Sequence, residues 1–260
     1  MADIQLYENF VLENKLTDLT NSYINVNSLF TTDESLATAA GLQKIIHKYT
    51  YEGEVEKLAK GAKNTVRGGV TMETTTYTVE RYQQTFGYND IDVMTDPYIL
   101  NVLTDGASKK MSNHIKSQYF DELAKIGNEY TCAEFNYDAI VDALAQINRE
   151  VESDQFIIMG LDMKAAIRKD EDFKASRQGE ILYNGQFGSI SGVPCVFSKL
   201  CPANTVYVTA KDQVKFFVKK SGTVEQDRDI ETKDNTVVYE RHGLMALVDE
   251  TKSVVVKVSA

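Results

Sequence analysis

The sequence predicts an α+β fold built around one long helix. Apolar and aromatic side chains recur at every third or fourth position across residues 97–126, which is the spacing of one helix face. Residues 41–53 and 71–88 have the character of strands and flank a glycine-containing segment, so they indicate a long hairpin. Strand and helix patterns alternate from residue 137 onward, which indicates a compact α/β region.

The composition excludes several classes of protein. The chain has 260 residues and a net charge of −10, from 28 Lys and Arg against 38 Asp and Glu. Nucleic acid is therefore not expected as a main partner, because phosphate binding needs clustered positive charge. No apolar run approaches the roughly 20 residues of a membrane helix, and the first six residues lack the basic and apolar regions of a signal peptide. The odd number of cysteines (Cys132, Cys195, Cys201) favours a reducing compartment over a disulfide framework.

Residues 1–36 are predicted to form an arm. Polar residues separate the apolar ones, and a short helix is possible between Leu12 and Tyr23 without a sustained apolar face. Residues 1–40 are also acidic, with one Lys against six Asp and Glu. Such a segment is expected to bury little of its surface within its own chain. A polar terminus that is ordered is usually held by something, for which a neighbouring subunit is one candidate.

The hairpin is predicted to be basic at its tip and to have no apolar face able to make a core, because its faces are mostly Thr, Glu, Gln, Lys and Tyr. Residues 41–70 contain six Lys and Arg against three Glu, in a chain that is otherwise acidic. The loop between the strands, 54–70, holds four of these cations: Lys57, Lys60, Lys63 and Arg67. They are either solvated or complementary to acidic surface on another copy. Because an isolated two-stranded hairpin is marginally stable, and no partner within the chain is evident, the functional unit is expected to be an assembly.

The long helix is predicted to begin with Asp96 as its N-cap and Pro97 as its first residue. Its apolar face comprises Ile99, Leu103, Ala107, Met111, Ile115, Tyr119, Leu123 and Ile126. Gly127 is expected to end it, and Gly106 weakens its continuity. At 1.5 Å per residue, 30 residues make a rod of about 45 Å, which is a structural spine for a chain of this length.

The rest of the chain is predicted to be compact. A helix over 137–150 is capped by Asn136, a buried strand follows at 156–159, and a further helix covers 162–169. After Gly179 the pattern is of strands and turns, with a charged extended segment at 223–235. The predicted strands are 194–198, 205–209, 214–219, 236–240, 244–248 and 254–258.

Catalytic motifs are not found. Gly185, Gly188 and Gly192 are spaced like part of a dinucleotide fingerprint, but a strand and not a helix follows them. Three histidines (His47, His114, His242) have no second ligand at metal-binding spacing, and the cysteines do not form a zinc pattern. The aspartates Asp90, Asp92 and Asp96 lack the Gly and Glu of a calcium loop and are assigned to turns and caps. We therefore expect no cofactor and no enzyme, with a small enzyme or binding module of dispersed site as the alternative.

Two motifs complete the pattern. Residues 185–198 form a glycine-rich turn followed by a Gly-x-Pro strand, and the segments 224–229, 239–243 and 253–258 form a charged return and a closing strand. Together with the order of arm, basic hairpin, spine helix and α/β region, they resemble the major capsid protein of tailed bacteriophages, with the Hong Kong ninety-seven fold. The resemblance covers essentially the whole chain and rests on the ordered combination rather than on one motif.

The resemblance implies a division of the chain into named parts. Residues 1–40 would be the N-terminal arm, 41–92 the long β-hairpin called the E-loop, and 93–129 the P-domain with its spine helix. Residues 130–221 would form the α/β A-domain. Residues 222–249 would be P-domain return strands, and 250–260 a closing A-domain strand.

The resemblance also implies a function. The chain would self-assemble into pentamers and hexamers of an icosahedral shell enclosing phage DNA, assembled in the host cytoplasm and found in the virion. The E-loop would lie across the neighbouring subunit's P-domain. A separate scaffolding protein or none is expected, since the chain has no room for an N-terminal scaffolding segment. A portal and decoration proteins are further expected partners, whereas DNA would be held only by non-specific proximity. An encapsulin-like nanocompartment shell, which has the same fold, is the nearest alternative.

Site residues carried over from the family are few. Lys57, Lys60, Lys63 and Arg67 would make inter-subunit contacts through the E-loop. Some family members cross-link an E-loop Lys to a P-domain Asn, for which Lys60 and Asn235 are the candidates here. The alternative is that these lysines form interface ion pairs.

Overall fold

The computed structural model describes residues 2–25, 29–147, 154–171, 173 and 188–259. Its helices are α1 Ala2–Asn25, α2 Ser35–Thr38, α3 Asp90–Thr95, α4 Ile99–Leu123, α5 Tyr137–Gln146 and α6 Leu161–Lys169. Its strands are β1 Thr31–Asp33, β2 Gln43–Glu52, β3 Gly69–Thr78, β4 Glu80–Asn89, β5 Glu129–Cys132, β6 Gln155–Met159, β7 Ser189–Ile190, β8 Val193–Phe197, β9 Thr205–Ala210, β10 Val214–Arg228, β11 Asp234–Leu247 and β12 Val254–Val258. In this part of the chain no helix combines the length and apolar character needed to cross a membrane.

A four-stranded sheet carries the spine helix α4. Its order is β1-β10-β11-β4, in which β10 and β11 form a long antiparallel pair and β1 runs parallel to β10. The buried face of α4 packs on this sheet through Ile115 and Tyr119, against Phe216 and Tyr239. The last turn of α4 reaches the second sheet, where the rings of Phe120 and Tyr207 lie 6.0 Å apart. The spine helix therefore joins the two sheets into one core.

A six-stranded sheet forms the α/β part of the chain. Its order is β5-β12-β9-β6-β8-β7, and the closing strand β12 lies between β5 and β9. The central strand β6 is buried along its whole length, as its apolar sequence predicts. Asn136 caps α5 as expected, since its side chain accepts a 2.9 Å hydrogen bond from Ala139 N. Of the glycine-rich motif, residues 185–187 lie outside the described residues.

Some predicted strands have other limits in the structure. The stretch 71–88 was predicted as one strand, but it divides at Val79 into β3, which pairs with β2, and β4, which pairs with β11. The separately predicted strands 236–240 and 244–248 are one strand, β11. Strand β10 crosses the expected domain boundary at 221/222, and the chain changes sheet between Ala210 and Val214. An alternating pattern of apolar and polar residues indicates that a segment is a strand. It does not indicate which strand the segment pairs with, so it cannot predict where the chain changes partner or sheet.

The expectation that the N-terminal arm buries little in its own chain is wrong. Residues 2–25 form the helix α1, which packs along α4, and Leu16 and Ile24 are buried in the main core. The partly buried Leu12, Leu19 and Tyr23 share the helical spacing of these residues, so a face was present in the sequence. Thr17, Thr20 and Asn21 dilute that face, which is why its periodicity is weak.

Two buried cations hold the C-terminal end of α1. Lys116 of α4 donates a 2.5 Å hydrogen bond to the backbone oxygen of Tyr23, and Arg241 of β11 donates one of 2.9 Å to the side chain of Asn21. Burial lowers the pKa of both groups. Cations are favourable beside the free carbonyls at a helix C-terminus, which offsets part of the cost of burying them.

The spine helix begins and ends a few residues inside its predicted limits. Asp96 accepts a 2.9 Å hydrogen bond from Tyr98 N, so it caps a turn and the helix proper starts at Ile99. The helix ends at Leu123, and the next residues form a turn in which Ile126 N donates to the oxygen of Leu123. Gly106 does not interrupt it.

Two glycines are expected to respond oppositely to substitution by alanine. A Cβ at Gly106 would meet nothing within 4 Å, so Gly106→Ala is expected to stabilise the helix by up to about 1 kcal/mol. A Cβ at Gly243 would lie 2.9 Å from the backbone oxygen of Phe217, so Gly243→Ala is expected to cost about 1–3 kcal/mol. Urea denaturation of the two variants measures the difference, and a stable Gly243→Ala protein would contradict this packing.

Candidate inter-subunit surfaces

The hairpin β2–β3 has two different faces, which its register defines. Tyr49 pairs with Met72 and Tyr51 pairs with Val70, so these four side chains share one face. Ile45 lies further down the same face. We call this set of five residues the outer face. Sequence reasoning did not identify this face, because its apolar residues are divided between two strands and meet only through the pairing.

The other face of the hairpin contacts its own chain, but only near the base. Ile46, Tyr77 and Val79 pack on a small apolar cluster formed by Leu36, Phe217, Leu244 and Ala246. Lys48 forms an ion pair with Glu250, and the Lys44 ammonium lies 4.8 Å from the centre of the Phe217 ring. Two open cavities of about 350 and 220 Å³ are both lined by Tyr77. Within the described structure the hairpin is thus attached at its base, and no other element supports it toward its tip.

The ion pair at the base is expected to persist from about pH 5 to pH 10. The hydrogen bond from Lys48 holds the pKa of Glu250 below its usual value, and the same bond raises the pKa of Lys48. The Glu250 contribution is present above its unfolded pKa and is lost as the pH falls through its lowered folded pKa. The Lys48 contribution is present below its unfolded pKa and is lost as the pH rises through its raised folded pKa.

Methyl NMR can measure this pH dependence at two neighbouring residues. The Ile46 methyl signals should stay constant through the neutral range and shift only in strong acid or strong base. Ile45, which faces away from the chain, serves as the control. A shift of the Ile46 signals alone near pH 7 would contradict the assignment of this pH dependence to the Lys48–Glu250 ion pair. Lys48→Met should remove the shifts both in strong acid and in strong base.

The loop at the hairpin tip, residues 53–68, is exposed along its length. Glu56 organises it by accepting hydrogen bonds from the backbone nitrogen and the hydroxyl of Thr65, at 2.9 and 3.1 Å. The cations Lys57, Lys60, Lys63 and Arg67 all lie here, as predicted from their positions. Among the described residues none of the four has a carboxylate partner within ion-pair distance. They present positive charge to whatever covers the hairpin.

Asn235, the other candidate cross-link residue, lies at the far end of the four-stranded sheet. Its side chain is buried, and its amide nitrogen donates a 2.6 Å hydrogen bond to Asp90. Arg228 also pairs with Asp90, and these two partners hold the pKa of that carboxyl below its usual range. In the single subunit Asn235 thus joins β11 to the start of α3.

The Lys60–Asn235 cross-link stays a prediction. A lysine could reach the Asn235 amide only after its bond to Asp90 opens. Denaturing electrophoresis of assembled protein tests it directly. A ladder of bands above 29.2 kDa that Lys60→Arg removes would support the bond, and a single band at 29.2 kDa would oppose it.

A second exposed surface lies at the start of the spine helix. Ile91 and Met94 lie one turn apart on α3, and Tyr98 and Val102 lie one turn apart where α4 begins. All four are exposed, and α3 has no buried side chain. We call these four residues the apolar stripe. Sequence reasoning assigned Asp90, Asp92 and Asp96 to turns and caps, a role confirmed for Asp96, and placed residues 97–126 in the long helix, but it missed the stripe.

The three histidines and three cysteines lie apart from one another in the described structure. His47 contacts Thr74, His114 lies against the ring of Tyr82, and His242 lies 3.4 Å from Glu240. Cys132, Cys195 and Cys201 form no disulfide bond with one another. Over the described ranges no three His, Cys, Asp or Glu side chains are grouped to hold a metal ion.

The architecture defines a class of protein. A spine helix on a four-stranded sheet, a six-stranded domain and a projecting hairpin together make the Hong Kong ninety-seven fold of viral shell proteins. The sequence profile of the family described as phage capsid protein matches residues 72–256, and the chain belongs to that family. It is therefore a structural protein of the virion capsid and not an enzyme. No curated protein matches the sequence.

Solved structures share this fold over most of their length. The capsid of the cyanophage P-SCSP1u matches with a TM-score of 0.72 at 10% identity, over 89% of this chain and 86% of that chain. A chain from Mycobacterium phage Che8 matches with a TM-score of 0.65 at 16% identity, over 86% and 88%. A virus-like particle from Pyrococcus furiosus matches with a TM-score of 0.66 at 12% identity, over 96% and 99%. At these identities the likeness establishes the fold alone.

Proposed function

We propose that this capsid protein assembles into pentamers and hexamers that close an icosahedral shell around phage DNA, with the hairpin of each copy lying on the P-domain of the next. The observation that carries the proposal is the unsupported hairpin. Beyond its base, β2–β3 packs on no other element in the described part of its own chain, although a two-stranded hairpin is marginal alone in water. A neighbouring copy would supply the missing support.

The proposed contact joins two different surfaces, one on each partner. Such a heterologous contact generates a ring when its rotation closes, which suits pentamers and hexamers. We retain the division into N-terminal arm, E-loop, P-domain and A-domain as a proposal, with the first A-domain segment ending near Ala210 and β12 as its closing strand. The arm in this proposal is the helix α1 with its following strand, and it belongs to the subunit core.

The charge distribution supports a shell that confines DNA without binding it tightly. The net charge is −10, and the exposed cations outside the hairpin are interspersed with carboxylates. An acidic chain gains little from phosphate contacts, so DNA would be held by enclosure. A scaffolding protein, a portal and decoration proteins are proposed partners of the shell.

A nanocompartment shell that encloses protein is the second candidate. The observation in its favour is that the virus-like particle from Pyrococcus furiosus matches 96% of this chain. Membership of the phage capsid family favours DNA as the content. The two candidates differ in what a nuclease-treated particle contains, which is DNA of genome length in one case and cargo protein in the other.

Negative-stain microscopy of the purified chain, with light scattering alongside, tests the proposal. Closed shells, or rings with five or six times the subunit mass of 29.2 kDa, are expected. A monomer at every salt and protein concentration, alone and when produced with the scaffolding protein of its virus, would contradict it.

A further inference from the structure

We propose that the cleft between the hairpin base and the last turns of the spine helix binds a linear alkyl polyammonium ion, with Glu122 as the most deeply buried of its carboxylate contacts. Such an ion alternates charged ammonium groups with short hydrocarbon stems. The site lies within one subunit and is independent of the proposed assembly.

The cleft consists of the two open cavities of about 350 and 220 Å³ at the hairpin base. Both are lined by Tyr77 and by Lys125, whose ammonium lies 5.7 Å from the centre of the Tyr77 ring. The other lining side chains come from the hairpin, from the C-terminal part of α4, and from β11 with the residues around it. Cavities of a few hundred Å³ are of the size that holds small ligands.

The cleft is strongly acidic. Six carboxylates and two lysines line its cavities, an excess of four negative charges. The carboxylates are those of Glu73, Glu80, Asp121, Glu122, Asp249 and Glu250. Lys125 pairs with Glu122 and Lys48 pairs with Glu250, whereas the other four have no cation within ion-pair distance in the described part of the chain. Carboxylates so grouped repel one another, and a bound cation would relieve that repulsion.

Glu122 has a hydrogen-bonding position that its own chain does not fill. The residue is 8% exposed, and its Oε1 accepts a 2.5 Å hydrogen bond from Lys125. Its Oε2 is buried and has no hydrogen-bond donor among the described residues. A buried acceptor without a donor costs free energy, which an ammonium group placed at the Glu122 wall of the larger cavity would recover. The end of α4 lies here as well, and its free carbonyls favour a cation.

The spacing of the carboxylates favours an extended organic cation over a metal ion. Metal ions need several oxygen ligands around one point, and such a group of three is absent from the described ranges. Apolar side chains line the same cavities, namely Ile46, Tyr77, Leu244, Met245, Leu247 and Val248. Hydrocarbon stems can pack on these side chains while ammonium groups reach separate carboxylates, and the Tyr77 ring offers a further contact for a cation.

A bound ion would join the hairpin to the core of its own subunit. Glu73 belongs to β3 of the hairpin, Asp121 belongs to α4, and Asp249 follows β11. An ion that contacts all three would hold the hairpin base at one angle to the spine helix.

Isothermal titration calorimetry of the purified chain with spermidine at low salt tests the inference. One site per subunit is expected, with an affinity that falls as the salt concentration rises. The cleft variant carries Glu73→Gln, Glu80→Gln and Asp121→Asn. It is expected to bind about tenfold more weakly, because each exposed ion pair changes an affinity by up to about fivefold. Glu122→Gln is expected to weaken binding by itself, since it removes the buried charge.

A matched control variant carries Glu134→Gln, Glu225→Gln and Asp227→Asn, which are exposed and lie outside both cavities. It makes the same change in net charge and should alter the affinity by less than about twofold. Butylamine and magnesium chloride are the comparison ligands, and each should bind about tenfold more weakly than spermidine because neither can bridge separate carboxylates. Circular dichroism establishes that each variant folds.

Methyl NMR locates the bound ion. Ile46 lines the smaller cavity, so its signals should shift as spermidine is added, whereas those of Ile45 on the outer face should not. Unchanged binding by the cleft variant or by Glu122→Gln, or a response to magnesium as strong as that to spermidine, would overturn the inference. None of these results bears on shell formation, which microscopy measures separately.

Discussion

Shortening the hairpin is expected to abolish shell formation while the subunit stays folded. Tyr49 and Met72 are directly paired, so residues 50–71 can be replaced by Asn-Gly, which forms a two-residue turn between antiparallel strands. The change keeps Ile46, Lys48 and Tyr77, through which the base contacts the core. It removes the basic loop and two of the five outer-face residues, Tyr51 and Val70.

The expected separation of folding from assembly follows from where the hairpin packs. The deleted residues are exposed and contribute no side chain to the three apolar clusters of the described chain. The free energy of unfolding in urea should therefore change by less than about 1 kcal/mol, as for surface changes in general. Microscopy should find only small oligomers or monomers. Shells at wild-type yield would refute the role assigned to the hairpin.

Truncating Leu16 is expected to be among the most damaging single changes outside the spine helix. Its side chain is fully buried in the main core, and its backbone oxygen accepts a hydrogen bond from Ser108 of α4. Leu16→Ala should cost about 2–5 kcal/mol, because the fixed spine helix beneath it cannot collapse into the cavity. Urea denaturation measures the loss, and limited proteolysis should show cleavage within α1.

Val11→Ala is the matched control for Leu16. It lies on the same helix with about half of its surface exposed, so the same chemical change should cost well under 1 kcal/mol. Equal, small effects of the two substitutions would mean that α1 does not belong to the core in solution. The prediction drawn from sequence, an arm held by a neighbour, would then return.

The helices and strands that could be predicted are those whose sequence pattern lies within one continuous segment of the chain. The apolar residues from Ile99 to Leu123 have helical spacing throughout, Asn136 caps the start of α5, and Asp96 caps the turn before α4. The buried strand β6 is apolar at Phe156 to Met159, and β12 is apolar from Val254 to Val256. In each case the residues that create the pattern are neighbours along the chain.

The parts that were missed depend on residues far apart in sequence. Arg241 and Lys116 lie more than ninety residues from the α1 atoms that they bind. The outer face of the hairpin exists because Tyr49 faces Met72 across 23 positions. The local sequence does not indicate the break between β3 and β4 at Val79, because the residues on both sides favour strand equally.

The sequence alone determined the class of the fold, its long helix and its basic hairpin, and it predicted an assembly. These follow from periodicity, charge and turn residues, which act over a few positions and are readable without coordinates. Only the tertiary structure decided that the N-terminal helix belongs to the core, that β3 and β4 are separate strands, and that the two exposed apolar surfaces lie at opposite ends of one sheet. The physical reason is that burial and register depend on pairing between distant segments, because a side chain is buried only by the partner that covers it.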